Sequence, residues 1–593
     1  MIGVVKALEQ CNGLLERGFT FLSGKAPGED LFLSFHDLRR EAQKRAEALV
    51  QLGLRKGDRL AMVVPDGPDF IPTFLGALWA GIVPVPLYPP LSLGKLDTFM
   101  EALVTILKVA DPKAIVVDQR LAKVLWSAIG SVPSITTVIQ VEELSKAPFT
   151  DRPAADLGDA DVAFLQFTSG STSAPKGVVV THGSLAANCH AILYAGLDAK
   201  PERDIGVSWL PLYHDMGLIG LVLTPLVGQI GIVYIPTLSF IKNSTLWMET
   251  IHKYKGTMTF APNFAYALVT KRARPEQIAR WDLSKMRVFG CGAEPINPET
   301  MRAFLKAFEP AGLKPEALLP CYGMAEATLA MSFIGVGAPM RTDRIDAAAY
   351  ADAHEAKPVD NGAAFLETVC CGRTFPGHEL SIQDERGRKL PERSVGEICF
   401  RGPSMTAGYF NHPAATAEAI RDGWLRTGDL GYLADGELYI SGRLKDILIV
   451  NGRNYYPQRI EWLVDELAGV RKGSAVVFTR PGKASEEIVV AAETRTAEPD
   501  ALAAAIKARV SEEFQLSVSD VALVSPGALP KTSSGKLQRR KTRDLYLAGR
   551  LGAASARDAS GGRLLVAKHL ALSFVGRARH EARGLWKKLQ KGV

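Results

Sequence analysis

Small polar residues and one lysine follow an apolar strand at residues 167–180, in the sequence FTSGSTSAPKGVVV. Small residues allow successive backbone N–H groups and hydroxyls to turn toward one anion, and Lys176 adds a positive charge. The loop is not the usual P-loop, because Pro175 stands where that motif has its second glycine and Gly177 where it has a Ser or Thr. A triphosphate is the anion that this loop suits. A flexible surface linker is the alternative.

A second polar turn lies at residues 319–328, in the sequence LPCYGMAEAT, where an apolar strand leads into a helix. Tyr322 offers a ring on which an adenine can stack. Glu326 offers a carboxylate to magnesium, a hard cation that takes carboxylate and phosphate oxygens. Such a turn also occurs as plain architecture, so its meaning depends on the other motifs.

Charged residues mark three later segments. WLRTGDL and SGRLKD contain Asp429, whose carboxylate can accept both ribose hydroxyls, and Arg443, which can bridge ribose and phosphate. LPKTSSGKLQR presents Lys536 on a glycine-containing loop, where its charge can stabilise a phosphorus-centred transition state. The alternatives are a surface ion pair for the first two residues and a solvated basic loop for the third.

The chain around these motifs alternates between segments typical of strands and segments typical of helices. Residues 31–120 alternate helical periodicity with short apolar runs, and VGQIGIVYIP, KMRVFGCGAEP and ALLPCYG continue the pattern. This predicts an α/β fold, with a large N-terminal domain of stacked, mostly parallel sheets flanked by helices and the polar turns at the strand ends. From residue 396 short strands predict a small β-rich subdomain, and after a connector at 442–454 a small α+β domain follows.

An uncharged stretch at residues 216–235 has the length of a membrane span. Pro225 and four glycines interrupt it, which favours a buried helix followed by a buried strand.

Composition narrows the classes of function. At 593 residues and 47% hydrophobic, the chain is expected to form at least two domains. The seven cysteines contain no CxxC pair, which argues against structural zinc and a disulfide framework. Residues 539–593 hold 14 Lys or Arg and 3 Asp or Glu, so the net charge of +7 is concentrated in the tail and no nucleic-acid partner is expected. The first thirty residues contain no export signal, which predicts a cytoplasmic protein.

Taken in order, these segments resemble the adenylate-forming superfamily of acyl-CoA synthetases, peptide-synthetase adenylation domains and luciferases. The resemblance spans roughly residues 31–540 and rests on TSGSTSAPKG, GCGAEP, YGMAE, RTGDL, GRLKD and PKTSSGK. Within the superfamily the chain is most similar to the fatty acyl-AMP ligases, through FLSFHDL, GIVPVPLYPP, SWLPLYHDMGLIG, YGMAEATL and GRNYYPQRIE.

The resemblance implies a ligase that uses ATP and Mg²⁺ to convert a fatty acid into its acyl-adenylate, with release of pyrophosphate, before transfer to a thiol. It implies that Glu326 carries magnesium, that Lys536 serves adenylation, that His214 lies near the acyl carboxylate and that Lys445 is the hinge of the small domain. The further ATP or AMP contacts that it implies are Thr168, Ser169, Gly170, Ser171, Thr172 and Lys176 for the phosphates, Gly292, Ala293, Glu294, Tyr322 and Gly323 for the adenine, and Asp429 and Arg443 for the ribose.

Two assignments near His214 stay open. The histidine itself is also compatible with a satisfied position in the core. Met216, Leu218 and Ile219, which follow it, either line an acyl tunnel or belong to the core.

A long segment separates Glu326 from Gly372. By the resemblance it contains the insertion, at about 346–371, that marks the fatty acyl-AMP ligases, and a plain surface loop is the alternative. The insertion implies restricted movement of the small domain and transfer of the acyl group to an acyl carrier protein rather than to free coenzyme A. No phosphopantetheine site follows residue 540, so the carrier is expected to act in trans. A long-chain fatty acyl-CoA synthetase is the second candidate, and a non-catalytic nucleotide- or lipid-binding relative is a distant third.

The predicted organisation is an N-terminal adenylate-forming domain at 1–442, a mobile C-terminal domain at 443–545 and a basic tail at 546–593. The tail mixes apolar residues and cations at loosely helical spacing. This predicts either an amphipathic helix in peripheral contact with an anionic membrane or an acidic carrier protein, or a disordered segment.

Overall fold

A computed structural model describes residues 1–23, 29–90, 96–168, 175–359, 365–450, 453–482, 486–532, 535–552 and 561–590. Four predicted phosphate contacts, Ser169, Gly170, Ser171 and Thr172, lie outside these ranges.

The strands are, in chain order, β1 (Gly18–Phe21), β2 (Leu31–Ser34), β3 (Arg59–Val63), β4 (Val83–Pro86), β5 (Ala114–Val117), β6 (Thr137–Gln140), β7 (Val162–Thr168), β8 (Lys176–Thr181), β9 (Ile205–Ser208), β10 (Gly231–Tyr234), β11 (Met258–Ala261), β12 (Val288–Cys291), β13 (Leu318–Gly323), β14 (Ala330–Phe333), β15 (Thr342–Asp346), β16 (Phe365–Val369), β17 (Arg373–Thr374), β18 (Glu379–Gln383), β19 (Gly396–Arg401), β20 (Ile420–Arg421), β21 (Trp424–Ala434), β22 (Glu437–Arg443), β23 (Leu448–Val450), β24 (Arg453–Tyr455), β25 (Val470–Pro481), β26 (Glu486–Thr494) and β27 (Val518–Val524).

The α-helices are α1 (Val4–Glu9), α2 (Phe35–Gln51), α3 (Phe70–Trp79), α4 (Leu96–Ala110), α5 (Gln119–Ile129), α6 (Val141–Ser145), α7 (His182–His190), α8 (Thr224–Gly228), α9 (Thr237–Lys242), α10 (Leu246–Tyr254), α11 (Asn263–Arg272), α12 (Pro275–Ile278), α13 (Pro298–Phe308), α14 (Ala347–Ala353), α15 (Pro413–Ala419), α16 (Pro457–Glu466), α17 (Pro499–Phe514), α18 (Arg539–Leu547) and α19 (Gly561–Gln590). Ala191–Gly196 and Met216–Leu223 form π-helices, and Glu309–Ala311, Pro315–Ala317, Ala325–Ala327 and Leu444–Asp446 form 3₁₀-helices.

Two largely parallel sheets form the large domain. One has nine strands in the order β17-β14-β13-β12-β11-β9-β10-β1-β2, and the other has the order β4-β3-β5-β6. Alternate residues of β3 face different cores, since Leu60 and Met62 belong to one apolar cluster and Ala61 and Val63 to another. A strand covered on both faces has to be apolar throughout, which is why these runs show no alternation. The predicted α/β fold is confirmed.

The β-rich subdomain is an antiparallel sheet of β18, β19, β21 and β20, with β22 paired to β21. The small C-terminal domain is built on the sheet β25-β26-β27, whose two faces pack into separate apolar clusters. Its helix α18 ends at Leu547 and so crosses the boundary predicted between residues 545 and 546.

The uncharged stretch at 216–235 folds as a π-helix, helix α8 and the buried strand β10. Among the described helices, none combines the length and apolar character that crossing a bilayer requires.

The tail is helical over residues 561–590 and packs against α5 of the large domain. For this part of the tail the helix is the correct alternative, and the disordered segment is not. Residues 553–560, which precede the helix, lie outside the described ranges.

Candidate active site

A single large cavity of about 1920 Å³ gathers most of the predicted site residues. Its walls come from strand ends of the nine-stranded sheet, from the hairpin β7–β8, from the β-rich subdomain and from the small domain. The predicted residues that line it are Thr168, Lys176, His214, Ala293, Glu294, Tyr322, Gly323, Glu326, Asp429, Arg443, Lys445 and Lys536.

Gly292 is not among the residues that line this cavity, and its place beside the adenine stays a prediction. A Cβ at this position would lie 2.7 Å from the Cys321 sulfur and 2.8 Å from its carbonyl oxygen. The glycine allows β12 and β13 to approach closely at the end from which Ala293 and Glu294 emerge.

The phosphate-loop hairpin brings Lys176 opposite Thr168 at the open end of β7 and β8. The Lys176 ammonium lies 4.8 Å from the centre of the Tyr409 ring, and the Tyr409 hydroxyl donates a 2.8 Å hydrogen bond to Glu326. Tyr409 was not among the predicted site residues. Through these two contacts the Tyr409 side chain holds the Lys176 ammonium and the Glu326 carboxylate toward the cavity.

Glu326 lies in the 3₁₀-helix at the end of β13. Burial raises the pKa of its carboxyl group, and the Tyr409 hydrogen bond opposes that rise. One carboxylate beside a phosphate site fits Mg²⁺, which binds through one or two carboxylates and completes its shell with phosphate oxygens and water. Groups of three or more His, Cys, Asp or Glu arranged for a metal do not occur among the described residues.

Asp429 joins two partners through its two carboxylate oxygens. The Tyr322 hydroxyl donates to Oδ2 at 2.8 Å, and the Arg443 Nε donates to Oδ1 at 3.0 Å. Asp429 and Arg443 are register partners on β21 and β22, which places the arginine over the carboxylate. The Asp429 charge raises the pKa of Arg443, so the guanidinium stays cationic beside the cavity.

Glu294 follows β12 in a turn where Ala293 has φ +71°. The Glu294 carboxylate faces the start of α11, whose Asn263 and Phe264 N–H groups donate to it. Burial raises its pKa, and the charge of Lys536 is the largest opposing influence. A helix N-terminus stabilises such a carboxylate.

Lys536 reaches the same cavity from the small domain. Burial lowers the pKa of its ammonium group, while Asp215, Glu294 and Asp429 raise it. His214 contacts Asp215, with 2.7 Å between Nδ1 and Oδ1. Burial alone would raise the pKa of Asp215, but His214, Lys536 and the Met216 N–H lower it to about 2. Asp215, which was not predicted, is thus the anionic partner of both residues.

His214 and several apolar residues line the same cavity. Met216 contributes to this wall as predicted, whereas Leu218 and Ile219 are fully buried in the core and do not line the cavity. Other apolar residues that line the cavity include Gly220, Phe260, Leu329 and Phe333.

The connector places Lys445 at the cavity in the 3₁₀-helix Leu444–Asp446. Its neighbour Asp446 pairs with Arg539 at 2.6 Å, and Arg539 also pairs with Glu461 of α16 at 2.8 Å. Arg539 therefore ties the end of the connector to the small domain.

Known protein families match the large and the small part of the chain separately. The AMP-binding enzyme family matches residues 17–410, and the AMP domain of the Disco-interacting protein 2-like family matches residues 445–556. A putative acyl-CoA synthetase of Caulobacter vibrioides is 36% identical over 88% of this chain and 91% of its own length. The medium-chain-fatty-acid–[acyl-carrier-protein] ligase JamA of Moorena producens is 34% identical over 88% of this chain and 91% of its own.

A solved structure from work on the fatty acyl-adenylate ligases of E. coli and L. pneumophila superposes with a TM-score of 0.87. It is 34% identical and covers 94% of this chain and 99% of its own. The chain therefore belongs to the AMP-binding enzymes, the adenylate-forming superfamily, and within them to the fatty acyl-AMP ligase branch.

Proposed function

We propose that this ligase activates a fatty acid with ATP as fatty acyl-AMP and then transfers the acyl group to the phosphopantetheine thiol of an acyl carrier protein. The observation that carries the proposal is the meeting of Lys176, Glu326, Asp429, Arg443 and Lys536 around one cavity. These charges come from four separate parts of the chain and match one nucleotide.

In the first step a fatty-acid carboxylate oxygen attacks the α-phosphorus of ATP, and pyrophosphate leaves. This step needs no protein nucleophile, so positioning and charge stabilisation have to supply the rate. Lys176 and the hairpin hold the phosphates, while Asp429 and Arg443 hold the ribose. Lys536 carries its charge to the phosphorus from the small domain. Glu326 is the residue that would hold Mg²⁺, which would supply neutralisation of the triphosphate charge.

The apolar wall of the cavity supports a fatty acid as the substrate. Phe260, Leu329, Phe333 and Met216 offer a surface without charge in the same cavity as the position proposed for the carboxylate. Gly220 borders this wall, and a Cβ there would lie 3.2 Å from the Leu329 side chain. An alkyl chain buried against such residues gains about 0.8 kcal/mol per methylene group.

Contacts between the predicted insertion and the small domain support a carrier protein over free coenzyme A as acceptor. Arg459 of α16 donates to the Thr368 hydroxyl at 3.2 Å and to the Glu367 carbonyl at 3.4 Å. The rings of Tyr350 and Tyr456 lie 5.2 Å apart. These contacts restrict rotation of the small domain away from the adenylation geometry. The relative JamA, named as an acyl-carrier-protein ligase, has a matching partner class.

An acyl-CoA synthetase is the second candidate, because the Caulobacter relative carries that name at 36% identity. The two candidates share the adenylation step and differ in the acceptor thiol.

The acceptor is tested by incubating the enzyme with ATP, Mg²⁺ and a ladder of fatty acids, and with either coenzyme A or a holo-carrier protein. We expect acyl-AMP and acyl-carrier thioester by mass spectrometry, with little acyl-CoA. Efficient acyl-CoA production would overturn the carrier assignment and leave the adenylation step intact.

The role of Lys536 is tested with Lys536→Ala. Because its charge is needed only at phosphorus, we expect ATP–pyrophosphate exchange to fall by about a thousandfold or more. Thioester formation from preformed acyl-adenylate should be spared. Lys507→Ala, on the exposed side of α17, is the matched control in the same domain. Normal exchange by Lys536→Ala would remove the lysine from the mechanism.

A further inference from the structure

The C-terminal helix α19 docks on the large domain by one closely fitted face. The Lys568 and His569 side chains contact Asp97, at the start of α4, at 3.0 Å and 2.6 Å. The Ser573 hydroxyl donates to the Val124 carbonyl at 2.7 Å. A Cβ at Gly576 would lie 2.1 Å from the Trp126 carbonyl oxygen, so the glycine permits direct contact of α19 with α5. This face fixes the rotation of the helix about its axis.

The opposite face of α19 is apolar and exposed. Residues four apart lie on one side of a helix, so a face that buries 569, 573 and 576 turns 571, 574, 575 and 578 outward and leaves 570 at the edge of the outward face, next to 574. Phe574 is 81% exposed, and Leu570 and Val575 are 44% and 46% exposed. Ala571 and Ala578 complete the stripe. An exposed apolar stripe on a docked helix marks an interaction surface.

Cations border this stripe. Arg577 and Arg583 are exposed along α19, and Lys568 lies at its other margin. The acidic Glu581 pairs with Arg577 at 2.9 Å. The sequence of residues 539–593 as a whole has a strong excess of Lys and Arg. A second copy of the chain would bring the same excess of positive charge against this one, whereas a negatively charged surface would attract it.

We propose that the outward face of α19 rests on an anionic lipid surface, with the stripe of Leu570, Phe574 and Val575 buried among acyl chains and the flanking cations among head groups. A helix that lies in the membrane interface has this arrangement of one apolar face and bordering cations. The helix lies beyond both regions matched by family.

The docking also relates the lipid surface to the cavity. Asp97 is in the first turn of α4, and Phe99, Ala102 and Ile106 of the same helix line the cavity. A lipid surface under α19 would hold this wall of the cavity close to the bilayer, in which long-chain fatty acids are concentrated.

Vesicle flotation with the full-length protein tests the proposal. The probes are vesicles of phosphatidylcholine alone and of phosphatidylcholine with about one third phosphatidylglycerol. We expect the protein to float with the anionic vesicles, and the bound fraction to fall at high salt. Leu570→Ser and Phe574→Ser should each lower the partition coefficient by about tenfold, since each removes a large apolar side chain from the interface.

Leu52→Ser is the matched control, because Leu52 is a 46% exposed leucine at the end of α2, outside the stripe. Its binding should equal that of the unchanged protein. Pyrophosphate exchange in lipid-free buffer should be unchanged in all three variants, which shows that they are folded. The proposal is overturned if the stripe variants float as well as the control. It is also overturned if the protein does not float and the variants instead abolish a dimer or the binding of an acidic carrier protein.

Discussion

Tyr409 connects the two charges that stand at the phosphate end of the site. Its ring lies under the Lys176 ammonium and its hydroxyl donates to Glu326, so one side chain positions both the cation for the phosphates and the proposed magnesium carboxylate. A hydrogen bond to a charged group contributes more than one between neutral groups.

Removing this hydroxyl with Tyr409→Phe should leave the ring in place and release the Glu326 carboxylate. We expect the Mg²⁺ concentration for half-maximal pyrophosphate exchange to rise by about tenfold, the effect of losing one hydrogen bond to a charged group. A Mg²⁺ titration of the exchange rate measures it. Tyr432→Phe is the control, because that hydroxyl donates to Asp343 at 2.9 Å, outside the cavity lining. An unchanged Mg²⁺ requirement in Tyr409→Phe would contradict the positioning role.

The motifs predicted the charged residues of the site better than the residues that orient them. Lys176, Glu326, Asp429, Arg443 and Lys536 stand in recognisable segments and line one cavity. Tyr409 stands outside the quoted motifs. Its role depends on contacts with Glu326 and Lys176, which lie 83 or more positions away in the chain. Asp215 stands within the quoted segment PLYHDMG, but its interaction with the charge of Lys536, far along the chain, leaves no mark in that segment. Such long-range contacts have no local pattern.

At the scale of elements, the segment around α14 and β16 is a part of the large domain that contacts the small domain. Arg459 reaches from α16 to the backbone and hydroxyl at the end of β16, and Tyr350 of α14 packs on Tyr456. These few contacts would have to break before the small domain could rotate.

Arg459→Met keeps most of the side-chain volume and removes both hydrogen bonds. If this segment restrains the small domain, acyl-CoA formation from free coenzyme A should increase by about tenfold, corresponding to two hydrogen bonds of ordinary strength. Arg480→Met is the control, since Arg480 pairs with Glu487 within the small domain. Steady-state acyl-CoA production with saturating ATP measures the effect. An unaltered rate in Arg459→Met would show that these bonds do not set the choice of thiol.

Element types followed from the sequence where the pattern was continuous. Uninterrupted apolar runs marked the parallel strands, and glycine turns marked the β-rich subdomain. The π-helix Met216–Leu223 was not predicted as such, because its apolar residues show the same composition as an α-helix. Met216 and Gly220 line the cavity, whereas Leu218 and Ile219 are buried in the core.

At the scale of the whole molecule, two buried carboxyl groups oppose stability at neutral pH. Burial raises the pKa of Asp465 to about 7 and that of Asp66 to about 6, although backbone N–H groups donate to both. The folded state then holds these protons more tightly than the unfolded chain. Their contribution to stability is present at low pH and is lost as the pH rises from about 4 through about 6 to 7.

Asp465→Asn should weaken the dependence of the small domain's stability on pH. The Gly473 and Ser474 N–H groups donate to different carboxylate oxygens, at 3.0 Å and 3.3 Å. The single amide oxygen of the variant can keep one of these bonds, and the side chain carries no charge at high pH. We expect the urea midpoint of the variant to change less than that of the unchanged protein between about pH 5 and 7.5. Asp500→Asn, at an exposed position in the first turn of α17, is the control. Identical slopes in both variants would refute the assignment to Asp465.

The division of the chain into large and small domains and the class of fold could be anticipated from length and pattern. The docking of α19 could not, because the tail has the composition of a solvated segment. What holds it is a pair of close approaches, at Gly576 and at Asp97, that involve residues more than 440 positions apart.

Arg539 limits where the chain could bend if the small domain rotates against the large one. Arg443 is anchored to the large domain through Asp429 and strand β22, and Asp446 is anchored to the small domain through Arg539. Only Leu444 and Lys445 stand between the two anchors. A rotation that preserves both anchors must concentrate its change of backbone dihedral angles in these two residues. A proline at either position would therefore block the rotation while leaving the large and small domains folded.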